Sequence, residues 1–124
     1  MRLQVFPTTE APSEARRELS SLASRIDPRS LSDIRTVVSE LVGMSVANGA
    51  REPIQVSVCV EGPHVRGTIH DDGTSLRAIS RRESTLVLRI LEGLVEEWGA
   101  DRHEQQIWFR MGSASPSRPS DEPR

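Results

Sequence analysis

Residues 39–48 read Ser39-Glu40-Leu41-Val42-Gly43-Met44-Ser45-Val46-Ala47-Asn48, and the spacing of their apolar side chains decides the fold. At 3.6 residues per turn, Ile34, Val38, Leu41 and Ser45 fall on one stripe, flanked by Val37 and Val42. That is a helix with a buried face. Glu40, Gly43, Met44 and Ala47 lie together on a neighbouring face. A carboxylate beside Gly, Met and Ala suits the wall of a pocket; the plain alternative is a surface glutamate. Ser30-Leu31-Ser32-Asp33 fits a capping box, which puts the helix start near Leu31. Asn48-Gly49 stops it, because both residues tolerate the left-handed conformation.

Upstream, Leu3-Gln4-Val5-Phe6 predicts a short edge strand stopped by Pro7. Ser13 is the expected cap of a first helix, whose stripe is Ala15, Leu19, Leu22, Ala23 and Ile26. Asp27-Pro28 ends it. Downstream, Ile54, Val56, Val58 and Val60 alternate with Gln55, Ser57 and Cys59. After the Glu61-Gly62-Pro63 turn, Val65, Gly67 and Ile69 continue the pattern to Asp71-Asp72-Gly73. Residues 74–83 are polar and basic and read as a loop or short helical turn. A third helix is expected from Ser84 to Trp98, with Gly99 as its cap. Gln106 to Met111 closes the chain as a strand. The order predicts an α+β fold, a two-layer sandwich with helices on one face of a mixed, mainly antiparallel sheet.

The 124 residues set the scale at one domain. Residues 112–124, GSASPSRPSDEPR, hold one alanine and no larger apolar side chain, and are expected to be a disordered tail behind a folded unit of residues 1–111. All 16 basic residues are arginine. Without lysine there is no phosphate loop of the Gly-Lys-Ser/Thr type, no Schiff base and no lysine general base. The single Cys59 excludes an internal disulfide and a paired-cysteine zinc site, and reads as a small buried strand residue. A net charge of −2 argues against a nucleic-acid binder. No apolar run approaches the roughly 20 residues of a membrane span, and residues 1–6 do not make a signal peptide, so a cytoplasmic protein is expected.

Asp71-Asp72-Gly73 is ordinary turn chemistry, or else a strand-end carboxylate placed to accept a hydrogen bond from the amino group of a heterocycle. His70, Asp71 and Asp72 with His103 suggest a metal site only weakly, since nothing places His103 near the others. Trp98 and Trp108 are expected in the core or at its rim. No local motif supports a serine nucleophile.

Taken in order, these pieces resemble a family: the GHKL (Bergerat-fold) ATP-binding domains, above all the short bacterial anti-sigma-factor serine kinases. Ser39 to Asn48 resembles the family's S-E-L-V-T-N-A-x-x-H helix. Val65 to Gly73 resembles its V-x-V-x-D-x-G strand and turn. Leu88 to Gly99 resembles its last helix, which often ends in Trp-Gly, and Ile107-Trp108-Phe109 its final strand. The resemblance implies that Glu40 is the catalytic base, that Asp71 binds the adenine amino group and that Gly73 lets the backbone approach the base.

The departures are equally specific. Met44 stands where the family has its Mg²⁺-binding asparagine, and a thioether is a poor ligand for a hard cation. Asn48 lies a turn further on and reads as a helix cap. Ser84-Thr85-Leu86-Val87 stands where phosphate-binding glycines are expected. Arg77, Arg81 and Arg82 are candidate phosphate ligands in place of those glycines, or simply a solvated loop. The expectation is a regulatory protein of the anti-sigma kinase type with ATP binding weakened or lost and Mg²⁺ disfavoured. It would act by binding a sigma factor or an antagonist-like protein. The alternatives are an active protein-serine kinase using Glu40, and a nucleotide-free adaptor. Homodimerisation is an expectation of the resemblance.

Overall fold

A computed structural model describes residues 1–82 and 85–112. The tail expected over 112–124 lies outside the described residues, apart from Gly112.

The elements are β1 (Arg2–Val5), α1 (Ala11–Glu18), a 3₁₀ turn (Leu19–Leu22), α2 (Pro28–Ala47), β2 (Ile54–Glu61), β3 (His64–His70), α3 (Thr74–Ser80), α4 (Thr85–Leu94), β4 (Glu97–Asp101) and β5 (Gln106–Gly112). The strands form one sheet in the order β1-β2-β3-β5-β4. Every ladder is antiparallel, so the expected mixture of pairings is not seen. The inward residues Ile54, Val56, Val58, Val65, Ile69, Ile107 and Phe109 are buried and join α2 in one core. The result is the two-layer α+β sandwich that the order of elements predicts. Among the described residues, no helix is long and apolar enough to cross a membrane.

Helix α2 begins three residues earlier than the capping-box reading expects. Asp27 is the cap: its carboxylate accepts from the backbone N–H of Arg29 at 3.2 Å and of Ser30 at 3.4 Å. Pro28, with no N–H to satisfy, takes the first helical position. Ser30 is therefore inside the helix and buried. The far end is closed by Asn48, whose Nδ2 donates to Met44 O at 2.8 Å. The first helix starts at Ala11 rather than at Ser13 and passes into the 3₁₀ turn after Glu18. Its stripe is buried at Ala15, Leu19, Leu22 and Ile26, whereas Ala23 is exposed.

Of the loop or short helical turn expected over residues 74–83, residues 74–80 form a short helix, because Leu76, Ala78 and Ile79 bury an apolar face among the arginines. Two further expectations are corrected. Helix α4 stops at Leu94, and Trp98-Gly99 belong to β4. Gly99 is thus a strand residue, and its lack of a side chain admits the Trp108 indole: a Cβ there would lie 2.8 Å from Trp108 Nε1. Cys59 is exposed, since it shares the outer face of β2 with Gln55 and Ser57. The same alternation puts Gly67 opposite Phe109 on the inner face, where a Cβ would overlap the phenyl ring.

Candidate functional site

The second face of α2 does form the wall of a cleft. Glu40, Gly43, Met44 and Asn48 face Leu86 and Val87 at the start of α4, around a space of about 440 Å³. Glu40 is partly exposed there. Met44 is buried, and so is Val87, while Leu86 is 64% exposed. The donors on this wall are one carboxylate, one thioether and an amide already bonded to the helix backbone. That set does not suit Mg²⁺, which wants several hard oxygens in octahedral array. Among the described residues, no three His, Cys, Asp or Glu side chains are grouped to hold a metal ion.

Asp71 lies at the end of β3 and is only 4% exposed. Its carboxylate is occupied by the chain itself. Oδ2 accepts from Ser45 Oγ at 2.6 Å, from Ser75 Oγ at 2.6 Å and from the Ser75 N–H at 3.1 Å. Oδ1 accepts from the Gly73 N–H at 2.9 Å. Charge-assisted bonds of this kind hold a buried carboxylate where an unpaired one would be prohibitive. Asp71 lines neither the Glu40 cleft nor its neighbour beside α3. The residue expected to read adenine is therefore not part of the cleft wall that carries the residue expected to attack phosphate.

Asp72 points the other way. Its carboxylate accepts from the Arg51 N–H at 3.0 Å and from both donors of Thr74. The Arg51 N–H, followed by the Thr74 hydroxyl, lowers its pKa below the ordinary aspartate value, against a smaller opposing effect of burial. His70 Nδ1 meets the Glu104 carbonyl at 2.9 Å. The weak metal grouping of His70, Asp71, Asp72 and His103 is thereby dispersed, with the first three turned to separate partners.

The basic candidates divide. Gly73, Arg77 and Arg81 line a second cleft, of about 260 Å³, together with Ser80, Arg102 and Gln105. Arg82 is not among its lining residues; it sits just past α3 at φ 55°. Gly73 takes φ 96°, a conformation that glycine adopts without strain, and starts α3. Arg102 was invisible to motif reading. Its signal is positional: it lies in the turn between β4 and β5, which the antiparallel ladder returns to the side of α3.

No protein-family model matches the chain, and no curated protein matches it. Among solved structures it is similar to that of the RsbU and RsbW domains of Rv1364c from Mycobacterium tuberculosis, with a TM-score of 0.67 at 22% sequence identity. The match covers 90% of this chain and 31% of the other, so this chain spans about a third of that neighbour. The likeness is one of fold, and it covers nearly all of the two-layer sandwich.

Proposed function

We propose that this chain is a regulatory module of the anti-sigma-factor kinase type that works by binding a protein partner, a sigma factor or an antagonist-like protein, with its nucleotide site degenerate. The RsbW part of the fold neighbour is the natural counterpart. One observation carries the degenerate reading: the Asp71 carboxylate already takes four hydrogen bonds, from Ser45, Gly73 and Ser75. A base that approached Asp71 would compete with the Ser45 and Ser75 hydroxyls that the fold supplies to Oδ2. Met44 in the metal position, and Leu86 and Val87 in place of glycines, favour the same reading. Calorimetric titration with ATP and Mg²⁺ tests it. No saturable heat is expected; tight, metal-dependent binding with turnover that Glu40→Ala abolishes would overturn it. The partner is tested by co-purification with individual sigma factors and their antagonists.

A second reading keeps an active protein-serine kinase. It is favoured by one feature, the partly exposed Glu40 on the wall of a cleft of about 440 Å³. Transfer of label from ATP to a partner serine, lost in Glu40→Ala, is the result that would select it.

A further inference from the structure

We infer that the cleft between α3 and the β4–β5 turn is an oxyanion site that takes a phosphoryl group, separate from the Glu40 cleft. Three guanidiniums, Arg77, Arg81 and Arg102, line it, with the Ser80 hydroxyl and the Gln105 amide. Among the described residues, no carboxylate lines it. Two acids nearby already accept bonds from the backbone: Asp72 from the Arg51 and Thr74 N–H groups, and Asp101 Oδ1 from the Glu104 N–H at 3.1 Å. The partners seen for two of the arginines are neutral hydroxyls: Thr74 Oγ1 at 3.3 Å for Arg77, and Ser80 Oγ at 3.4 Å for Arg102.

Two of these donors, from Arg77 and Gln105, converge on one point. A Cβ placed on Gly73 would meet Arg77 Nη1 at 3.2 Å and Gln105 Nε2 at 3.5 Å. The bare Cα of Gly73 leaves that point open. Gln105 reaches it from φ 53°, a left-handed backbone that a non-glycine residue holds only when its surroundings impose it. Guanidinium forks match phosphate oxygens in geometry and stay charged at all relevant pH. At about 260 Å³, the space lies below the roughly 300–1,000 Å³ of sites for drug-sized ligands and has room for a phosphoryl group. The two clefts share no lining residue, so this site stands whether or not the chain binds nucleotide at Glu40.

The test is an amide-shift titration of the ¹⁵N-labelled full chain at low ionic strength, with inorganic phosphate and, separately, with O-phosphoserine. Saturable shifts are expected at Gly73, Arg77 and Gln105. Arg77→Gln and Arg102→Gln should each weaken binding by about five-fold, as for an exposed charged pair, and together abolish it. Arg77→Lys, which keeps the charge but not the fork, should fall between. Both side chains are exposed, so the spectra should keep their dispersion. Arg2→Gln, on the outer sheet face, should leave these shifts unchanged. Tighter binding of one probe identifies whether the phosphoryl group arrives free or on a serine. No saturable shift with either probe, or shifts that Arg77→Gln and Arg102→Gln leave unchanged, would overturn the proposal.

Discussion

The Ser45 hydroxyl donates to Asp71 Oδ2 at 2.6 Å, tying the last turn of the sandwich's long helix to the end of its central strand. Both residues are buried, so no water replaces either partner when one is removed. Ser45→Ala should therefore lower stability by about 1.5–3 kcal/mol, the usual range for a hydrogen bond to a charged group. Ser75→Ala should act in the same direction through the other hydroxyl. Urea denaturation of each variant measures this. A double-mutant cycle of Ser45→Ala with Asp71→Asn should give a coupling energy well above zero.

Replacing Met44 by Asn puts a hard oxygen back on the wall of the Glu40 cleft. It leaves Leu86 and Val87, and it leaves Asp71 bonded to the two serines. A single Met44→Asn substitution should therefore not restore nucleotide binding. A ligand at its Kd stabilises a protein by about 0.4 kcal/mol, which a melting curve resolves. Saturating ATP with Mg²⁺ should leave the Tm of both wild type and Met44→Asn unchanged within about 1 °C.

Gly67 lies beneath the fully buried Phe109 ring. Gly67→Ala overpacks that point and should cost about 1–3 kcal/mol. Phe109→Ala opens a cavity and should cost about 3–5 kcal/mol. The combination Gly67→Ala with Phe109→Leu should cost less than the sum of its parts. Thermal unfolding of the four proteins decides it.

Asp72 supplies an acid-sensitive contribution. Its folded pKa lies below the ordinary value, chiefly because the Arg51 N–H, and then the Thr74 hydroxyl, bind the ionised form. The contribution is present in full above the unfolded pKa of about 3.9. It declines as pH falls below that value and is lost once pH passes the folded pKa. Asp72→Asn should flatten the acid limb of the stability profile in that window and shift the neutral plateau downward. Denaturation midpoints taken at steps from pH 6 to about pH 2 check this.

Much of this fold was legible where one local period coincided with burial. The alternation of Ile54 to Val58 and the stripe of α2 needed no partner to be read. Trp98-Gly99 read as helix for a physical reason: Val95 and Trp98 extend the helical period of α4, and only the Phe109 and Trp108 partners of β5 draw Trp98-Gly99 into a strand. Helix α3 was obscured because three arginines outweigh Leu76, Ala78 and Ile79 in any local reading. At the candidate site, Glu40 and Met44 were found on one wall as their shared helix face requires. That Asp71 would spend its acceptors on Ser45 was not legible, since the two are 26 residues apart and a serine on an apolar stripe names no partner. Arg102 carries no local signal for the same reason, belonging to the α3 cleft only through the hairpin.

The Trp108 indole lies against Gly99 on the outer face of the sheet, with the Arg66 guanidinium stacked 4.9 Å from its ring centre. The chain has two tryptophans and no tyrosine, and Trp98 packs against the core on the opposite face. The protein thus carries an intrinsic optical reporter on each side of its sheet. Emission from Trp108 registers whatever covers the outer face, while Trp98 registers the integrity of the sandwich beneath. A Trp98→Phe variant separates the two signals without a label.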